Sequence, residues 1–119
     1  MRLLLVDDEN EFVTTLAERL VIRGFEVDYA TRARDAIDLV KENRYDLVVL
    51  DMKMPGTSGL ELKELLEQIR PNMKYIFLTG HGSEEDYAAG SQQATHYLVK
   101  PVNISILISK INEAVNIHE

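Results

Sequence analysis

Short apolar runs, each cut off by a charged or hydroxyl residue, recur along this chain, and between them apolar residues return at the period of a helix. Few folds accept that alternation. Arg2–Val6 reads RLLLV and stops at Asp7, Asp8 and Glu9, and residues 46–50 read DLVVL and stop at Asp51. Consecutive apolar residues of this length are the signature of a strand buried on both faces. Lys74–Thr79 and His96–Val99, the latter followed by Lys100 and Pro101, read the same way, and Glu26–Ala30 is β-prone. The helical stripes lie between them. Val13, Leu16, Ala17 and Leu20 mark a helix over residues 10–23 closed by Gly24, and Ala33, Ala36, Ile37 and Val40 mark a second that Thr31 can cap. Leu62, Leu65, Leu66 and Ile69 form a third behind Ser58, ended by Pro71, with the turn formers Pro55, Gly56 and Gly59 ahead of it. Residues 83–93 form a thinner helix that contains Gly90 and Ser91, and Ile104, Leu107, Ile108, Ile111, Ala114 and Val115 form the last, capped by Asn103. Five strands alternating with five helices predict an α/β fold, a three-layer sandwich around a parallel sheet, because every crossover helix must cover a sheet face.

Composition narrows the function classes. A chain of 119 residues is expected to form a single domain, residues 1–119, and 45% hydrophobic with 28% charged residues excludes disorder and a coiled coil. The longest apolar runs fall far short of the roughly 20 residues of a membrane helix, and the four apolar residues after Arg2 are too few for a signal peptide, so a cytoplasmic location is expected. With no cysteine, disulfides, thiol nucleophiles and thiolate metal sites are excluded. The formal charge of −7 has the wrong sign for holding nucleic acid through its phosphates.

In a parallel α/β sheet, chemistry collects at the carboxyl ends of the strands. Those ends carry Asp7 and Asp8, Asp51, Thr79 and Lys100. Three carboxylates on one rim repel one another unless a cation lies among them, and hard oxygen donors with an incomplete shell suit magnesium. A hydroxyl and an ammonium opposite would contact an anion held there, and an aspartate is a competent nucleophile toward phosphorus. The residues therefore point to an aspartyl-phosphate site. Taken singly, the acids read as solvated loop carboxylates, Thr79 as a strand-end hydroxyl, Lys100 as a surface lysine and Tyr97 as a half-buried strand aromatic. Their joint order on alternate strand ends is what overrides those readings. His81, His96 and His118 have no ligand spacing and are assigned no metal.

The segments VDDE at residues 6–9, LDMKMPG at 50–56, LTGHGS at 78–83 and YLVKP at 97–101 resemble the receiver domains of two-component response regulators, of the chemotaxis-regulator type. The resemblance covers essentially the whole chain, and LTGHGS is similar to the receivers of nitrogen-regulatory transcription activators. It implies a flavodoxin-like sheet in strand order 2-1-3-4-5. It also implies that Asp51 accepts a phosphoryl group from a histidine kinase, with Mg2+ bound by Asp8, Asp51 and the backbone carbonyl of Lys53 and assisted by Asp7 through water. Thr79 would hydrogen-bond the phosphoryl group, and Lys100 would neutralise it and pair with Asp51 beforehand, its peptide bond to Pro101 being cis. Thr79 and Tyr97 would form the switch that presents a new face to a downstream output domain or protein, or to a second copy in a phosphorylation-dependent homodimer. The kinase is expected at residues 9–15 and 102–105. Lys53 and His81 sit where the family tunes hydrolysis of the phosphoaspartate. Two departures fall on the output side: the stretch from Thr79 to Lys100 is one residue short, and Gln93 with Ala94 stands where a Gly-Ala pair is expected.

Three alternatives follow from the same residues. A receiver-like interaction module that works without phosphorylation draws on the altered segment before Tyr97. A hydrolase with an aspartyl-phosphate intermediate lacks the Asp-x-Asp spacing on the first strand, since Asp7, Asp8 and Glu9 are consecutive. A flavin-phosphate site is opposed by those same three acids where backbone donors and hydroxyls are needed.

Overall fold

The computed structural model describes residues 1–80 and 96–116. The predicted helix over 83–93, the segment from Gly90 to Ala94, His81 and His118 lie outside them. The apolar runs become β1 (Arg2–Val6), β2 (Glu26–Ala30), β3 (Leu47–Asp51), β6 (Lys74–Thr79) and β7 (His96–Val99), and the periodic stretches become α1 (Asn10–Ile22), α2 (Ala33–Glu42), α3 (Gly59–Ile69) and α4 (Ile104–Val115). Two further strands of two residues each, β4 (Lys53–Met54) and β5 (Thr57–Ser58), form a small antiparallel hairpin around Pro55 and Gly56. Sequence reasoning reads a turn there and no strands. Gly56 takes φ +80°, a conformation open to glycine at little cost.

The five long strands form one sheet in the order β2-β1-β3-β6-β7, and all of its pairs are parallel. Counting those five alone, this is the expected order 2-1-3-4-5. Because side chains alternate across a strand, each strand feeds two cores. Leu4, Val6, Val48, Leu50, Tyr75 and Phe77 face Ala36 and Val40 of α2 and Leu62 and Leu66 of α3. Leu3, Leu5, Leu47, Val49, Ile76 and Leu78 face Val13, Leu16 and Leu20 of α1 and Leu107, Ile111 and Ala114 of α4. Three layers result. Among the described residues, no helix is long and apolar enough to cross a membrane.

The helix ends are set mostly as expected. Ser58 Oγ accepts the Glu61 N–H at 3.1 Å, and Asn103 Oδ1 accepts the Ile106 N–H at 3.1 Å. Gly24, at φ +95°, follows α1. Thr31 does not cap α2. The cap position is Arg32, with no side-chain cap bond, and its guanidinium instead reaches Asp35 at 3.2 Å across the first turn. The third strand also runs one residue later than its apolar pattern. Asp46 precedes it, its carboxylate accepting the backbone N–H of Arg2 at 2.8 Å, and Asp51 becomes the last strand residue.

Candidate functional site

The parallel ladder delivers the polar residues to one rim. Past the end of β1, the Asp7 N–H still bonds the Ala30 carbonyl at 3.1 Å, so Asp7 is fixed and buried while Asp8 turns outward. The Glu9 N–H returns to Asp7 Oδ1 at 2.9 Å and locks that carboxylate. On the neighbouring strand, Asp51 ends β3 buried at 6% exposure, and the Met52 N–H, bonded to the Leu78 carbonyl at 2.8 Å, extends the ladder just beyond it. The backbone N–H of Lys53 donates to the Asp51 carboxylate. The last two members lie farther along the sheet. Thr79 closes β6, buried, with its hydroxyl donating weakly to the Gly80 carbonyl at 3.4 Å, and its own carbonyl accepts the Lys100 N–H at 2.7 Å. The Lys100–Pro101 peptide is cis, as the resemblance implies.

The carboxylates converge. Asp7, Asp8 and Asp51 each place an oxygen so that the three lie within 4.8 Å of one another. The Asp51 carboxyl is raised to about 7, first by removal from water and then by the Asp7 charge and, least, by Asp8, against the opposing pull of Lys100 and the Lys53 N–H. Burial also raises Asp7 above the ordinary carboxylate range, against the hydrogen bond from Lys100. This donor set fits a hard divalent cation: the ligands are all carboxylate oxygens, two are buried, and their mutual repulsion is what a cation would relieve.

Lys100 makes the expected pair with Asp51 but grips two other acids more closely. Its ammonium lies 2.7 Å from Asp7 Oδ2 and 2.7 Å from Glu9 Oε1, but 3.8 Å from Asp51 Oδ2. The expected resting pair with Asp51 is therefore the weakest of its three. The reason is geometric: Lys100 follows β7 at the sheet edge, and the start of α1 brings Glu9 and the ring of Phe12, 4.7 Å from Nζ, up beside it. Burial favours the neutral amine, yet the bonds to Asp7 and Glu9 outweigh it and raise the Lys100 pKa. Glu9 as a partner of Lys100 is missed by sequence reasoning, although it sits in the VDDE segment beside the recognised acids.

Gly59 is a second missed residue. A Cβ there would lie 2.6 Å from the Asp51 carbonyl oxygen and 3.0 Å from the Met52 Cα, so the first turn of α3 can rest on the backbone of Asp51 only if residue 59 has no side chain. The Gly59 N–H, bonded to the Met52 carbonyl at 2.9 Å, ties the two together. Tyr97 stands apart from the carboxylates. It pairs with Phe77 in the sheet register, with the two rings edge to face at 6.3 Å, and lies half-buried on the sheet face that Thr79 shares.

Comparison with known proteins agrees with this geometry. Residues 3–112 match the model of the response regulator receiver domain. The transcriptional regulatory protein GlrR of Escherichia coli is 34% identical over 113 residues, which are 94% of this chain but 26% of GlrR, so the chain spans about a quarter of that relative. A CheY-like response regulator receiver domain protein from Methanospirillum hungatei superposes with a TM-score of 0.88 at 33% identity, covering 97% of this chain and 93% of its own. A response regulator protein from Burkholderia pseudomallei, crystallised with a phosphorylated aspartic acid, a calcium ion and citrate, superposes at 0.83 with 28% identity, over 98% of this chain and 70% of its own. A parallel sheet in this strand order, an acidic rim on its carboxyl ends and a family match over nearly every residue lead to one conclusion: the chain belongs to the response regulator receiver domains, the phosphoacceptor modules of two-component signalling.

Proposed function

We propose that Asp51 is the phosphoacceptor. One of its carboxylate oxygens attacks the phosphorus of a phosphohistidine on a sensor kinase; a P–O bond forms, giving an acyl phosphate. The P–N bond breaks, and the imidazole nitrogen leaves with the bonding pair and takes up a proton. Phosphoryl transfer asks the protein mainly for positioning and charge stabilisation. The observation that carries this reading is the convergence of the Asp7, Asp8 and Asp51 oxygens within 4.8 Å, beside the Lys100 ammonium.

In this reading Asp8, Asp51 and the Lys53 carbonyl hold Mg2+, and Asp7 acts through water. The bound ion supplies positive charge against the phosphoryl oxygens and allows the carboxylates to ionise together. Lys100 holds one phosphoryl oxygen through a charge-assisted bond and Thr79 donates its hydroxyl to another. Thr79 and Lys100 thus assist the phosphorylation of Asp51 and its hydrolysis, and the domain turns over no external substrate. The calcium ion and phosphorylated aspartic acid of the Burkholderia protein support the pairing of a divalent cation with an acyl phosphate on this fold. When Thr79 turns toward the phosphoryl group, the space around Tyr97 on the same sheet face changes, and with it the surface near β7 and α4. That surface serves an output domain or protein, for which the similarity to the transcriptional regulatory protein GlrR supports a role in transcription, or a second copy of the chain. The same reading puts the domain in the cytoplasm, which the similarity to transcriptional regulatory proteins supports.

Intact mass after incubation with phosphoramidate and Mg2+ tests the proposal. One phosphoryl adduct is expected, absent without metal and absent in Asp51→Asn. No adduct on folded, Mg2+-saturated protein would overturn it and favour an interaction module that works without phosphorylation.

A further inference from the structure

The role just given to Lys100 needs its ammonium on a phosphoryl oxygen beyond Asp51, but in this structure it is turned the other way. Asp7 Oδ2 and Glu9 Oε1 hold it at 2.7 Å each and the Phe12 ring supports it at 4.7 Å, whereas Asp51 Oδ2 is 3.8 Å off. The two closer contacts and the ring contact come from the end of β1 and the start of α1. Resting on the phosphoacceptor reading, we propose that Glu9 and Phe12 are positioning residues that hold Lys100 back on the α1 side, and that Glu9 releases it when the phosphoryl group arrives.

The two carboxylates in the clamp differ in what they can do. Asp7 is 2% exposed and fixed by the Glu9 N–H, so it stays in place and acts as the pivot. Glu9 is 62% exposed, and its carboxylate can pass from Lys100 to water at small cost. Nor is Glu9 needed elsewhere. It occupies the cap position of α1, yet its side chain makes no cap bond, so the carboxylate is spent on Lys100. Phe12 gives the ammonium an aromatic face on the same side and packs its ring against the core cluster of α1 and α4. A group that must travel to reach its ligand reacts more slowly when a partner holds it at the start.

The test uses phosphoramidate at saturating Mg2+, where Asp51 takes the phosphoryl group as the P–N bond breaks and ammonia leaves. Glu9→Gln should form the adduct about two- to five-fold faster than wild type, the range an exposed ion pair converts to. Glu18→Gln makes the same charge change about 13 Å farther along α1 and should leave the rate unchanged. A direct Mg2+ titration of both variants separates release from altered metal affinity. Independently of phosphorylation, the Lys100 Hε resonance should lie upfield from the Phe12 ring current and return toward its ordinary position in Phe12→Leu. An unaccelerated Glu9→Gln, an equal acceleration in Glu18→Gln, or a Lys100 resonance indifferent to Phe12→Leu would each overturn the clamp. Wild-type protein that takes no phosphoryl group would instead overturn the phosphoacceptor reading on which the release rests.

Discussion

The two ends of the sheet treat charge in opposite ways. Near the amino ends of the strands, Asp28 is matched: the Arg2 guanidinium lies at 3.1 Å, the Tyr45 hydroxyl donates to the same oxygen at 2.6 Å, and Arg2 stacks 5.3 Å from the Tyr45 ring. Asp46 beside them takes the Arg2 N–H. At the carboxyl ends, Asp7, Glu9 and Asp51 crowd the Lys100 ammonium with Asp8 close by, and two of those acids are buried. One end uses its charges to hold strands together. The other keeps a repulsion that a cation would relieve, so stability given up there favours cation binding.

If that contrast is right, deleting an acid should have opposite effects at the two ends. Asp51 is the largest case. Its carboxyl, at about 7 in the fold against an ordinary 3.8, keeps its proton over a pH range in which the unfolded chain has lost it. The folded state therefore binds more protons between about pH 4 and 7, and stability falls as pH rises through that window. The full penalty at pH 8 is on the order of 2–4 kcal/mol. Asp51→Asn should be more stable than wild type by about that amount in metal-free urea unfolding at pH 8, with the gap closing toward pH 4. Mg2+ should stabilise wild type more than the variant, since it binds the folded form. A variant less stable than wild type at pH 8 would break the comparison, because Asp51 would then be a structural acid like Asp28.

The next effect isolates backbone from charge. Gly59→Ala forces a methyl group toward the Asp51 carbonyl oxygen at 2.6 Å, and because the atoms it meets are all backbone of Asp51 and Met52 there is little room to yield. A loss of about 1–3 kcal/mol is expected, the usual cost of overpacking, together with slower adduct formation as Asp51 is displaced. Unchanged stability would mean that α3 does not brace the end of β3 at Asp51.

How much of this was legible beforehand follows the same division. The strands and both cores could be read because burial on two faces writes an uninterrupted apolar run, as in DLVVL, and the acid at each run's end marks the rim. The members of the site, Asp7, Asp8, Asp51, Thr79 and Lys100, are brought to that rim by the ladder. Which acid Lys100 grips was not legible, since that depends on how far α1 carries Glu9 and Phe12 across the sheet edge. Gly59 read as a turn former because its function is a distance to a backbone oxygen, and no local pattern encodes it. The two-residue hairpin escaped for a related reason: a strand of two residues carries no period. Thr31 looked like a cap by type, but helix α2 begins one residue later, where Arg32 uses Asp35 instead.

The smallest effect belongs to the matched end. Tyr45 is buried apart from its reach to Asp28, and burial first, then the hydrogen bond to the Asp28 carboxylate, raises its hydroxyl above the ordinary range, so it remains a donor throughout the physiological range. Tyr45→Phe keeps the ring beneath Arg2 and deletes the hydroxyl's bonds to Asp28 and to the Asn43 side chain. Because Asp28 retains Arg2 and is partly open to water, the loss should be about 1 kcal/mol, nearly constant from pH 6 to 8. Tyr45→Phe therefore sharpens the contrast through its sign and its flat pH profile: a satisfied acid loses a partner and stability drops, whereas Asp51 loses its charge and stability rises. A gain in stability for Tyr45→Phe would mean that Asp28 too is over-packed with charge, and that the two ends differ in degree alone.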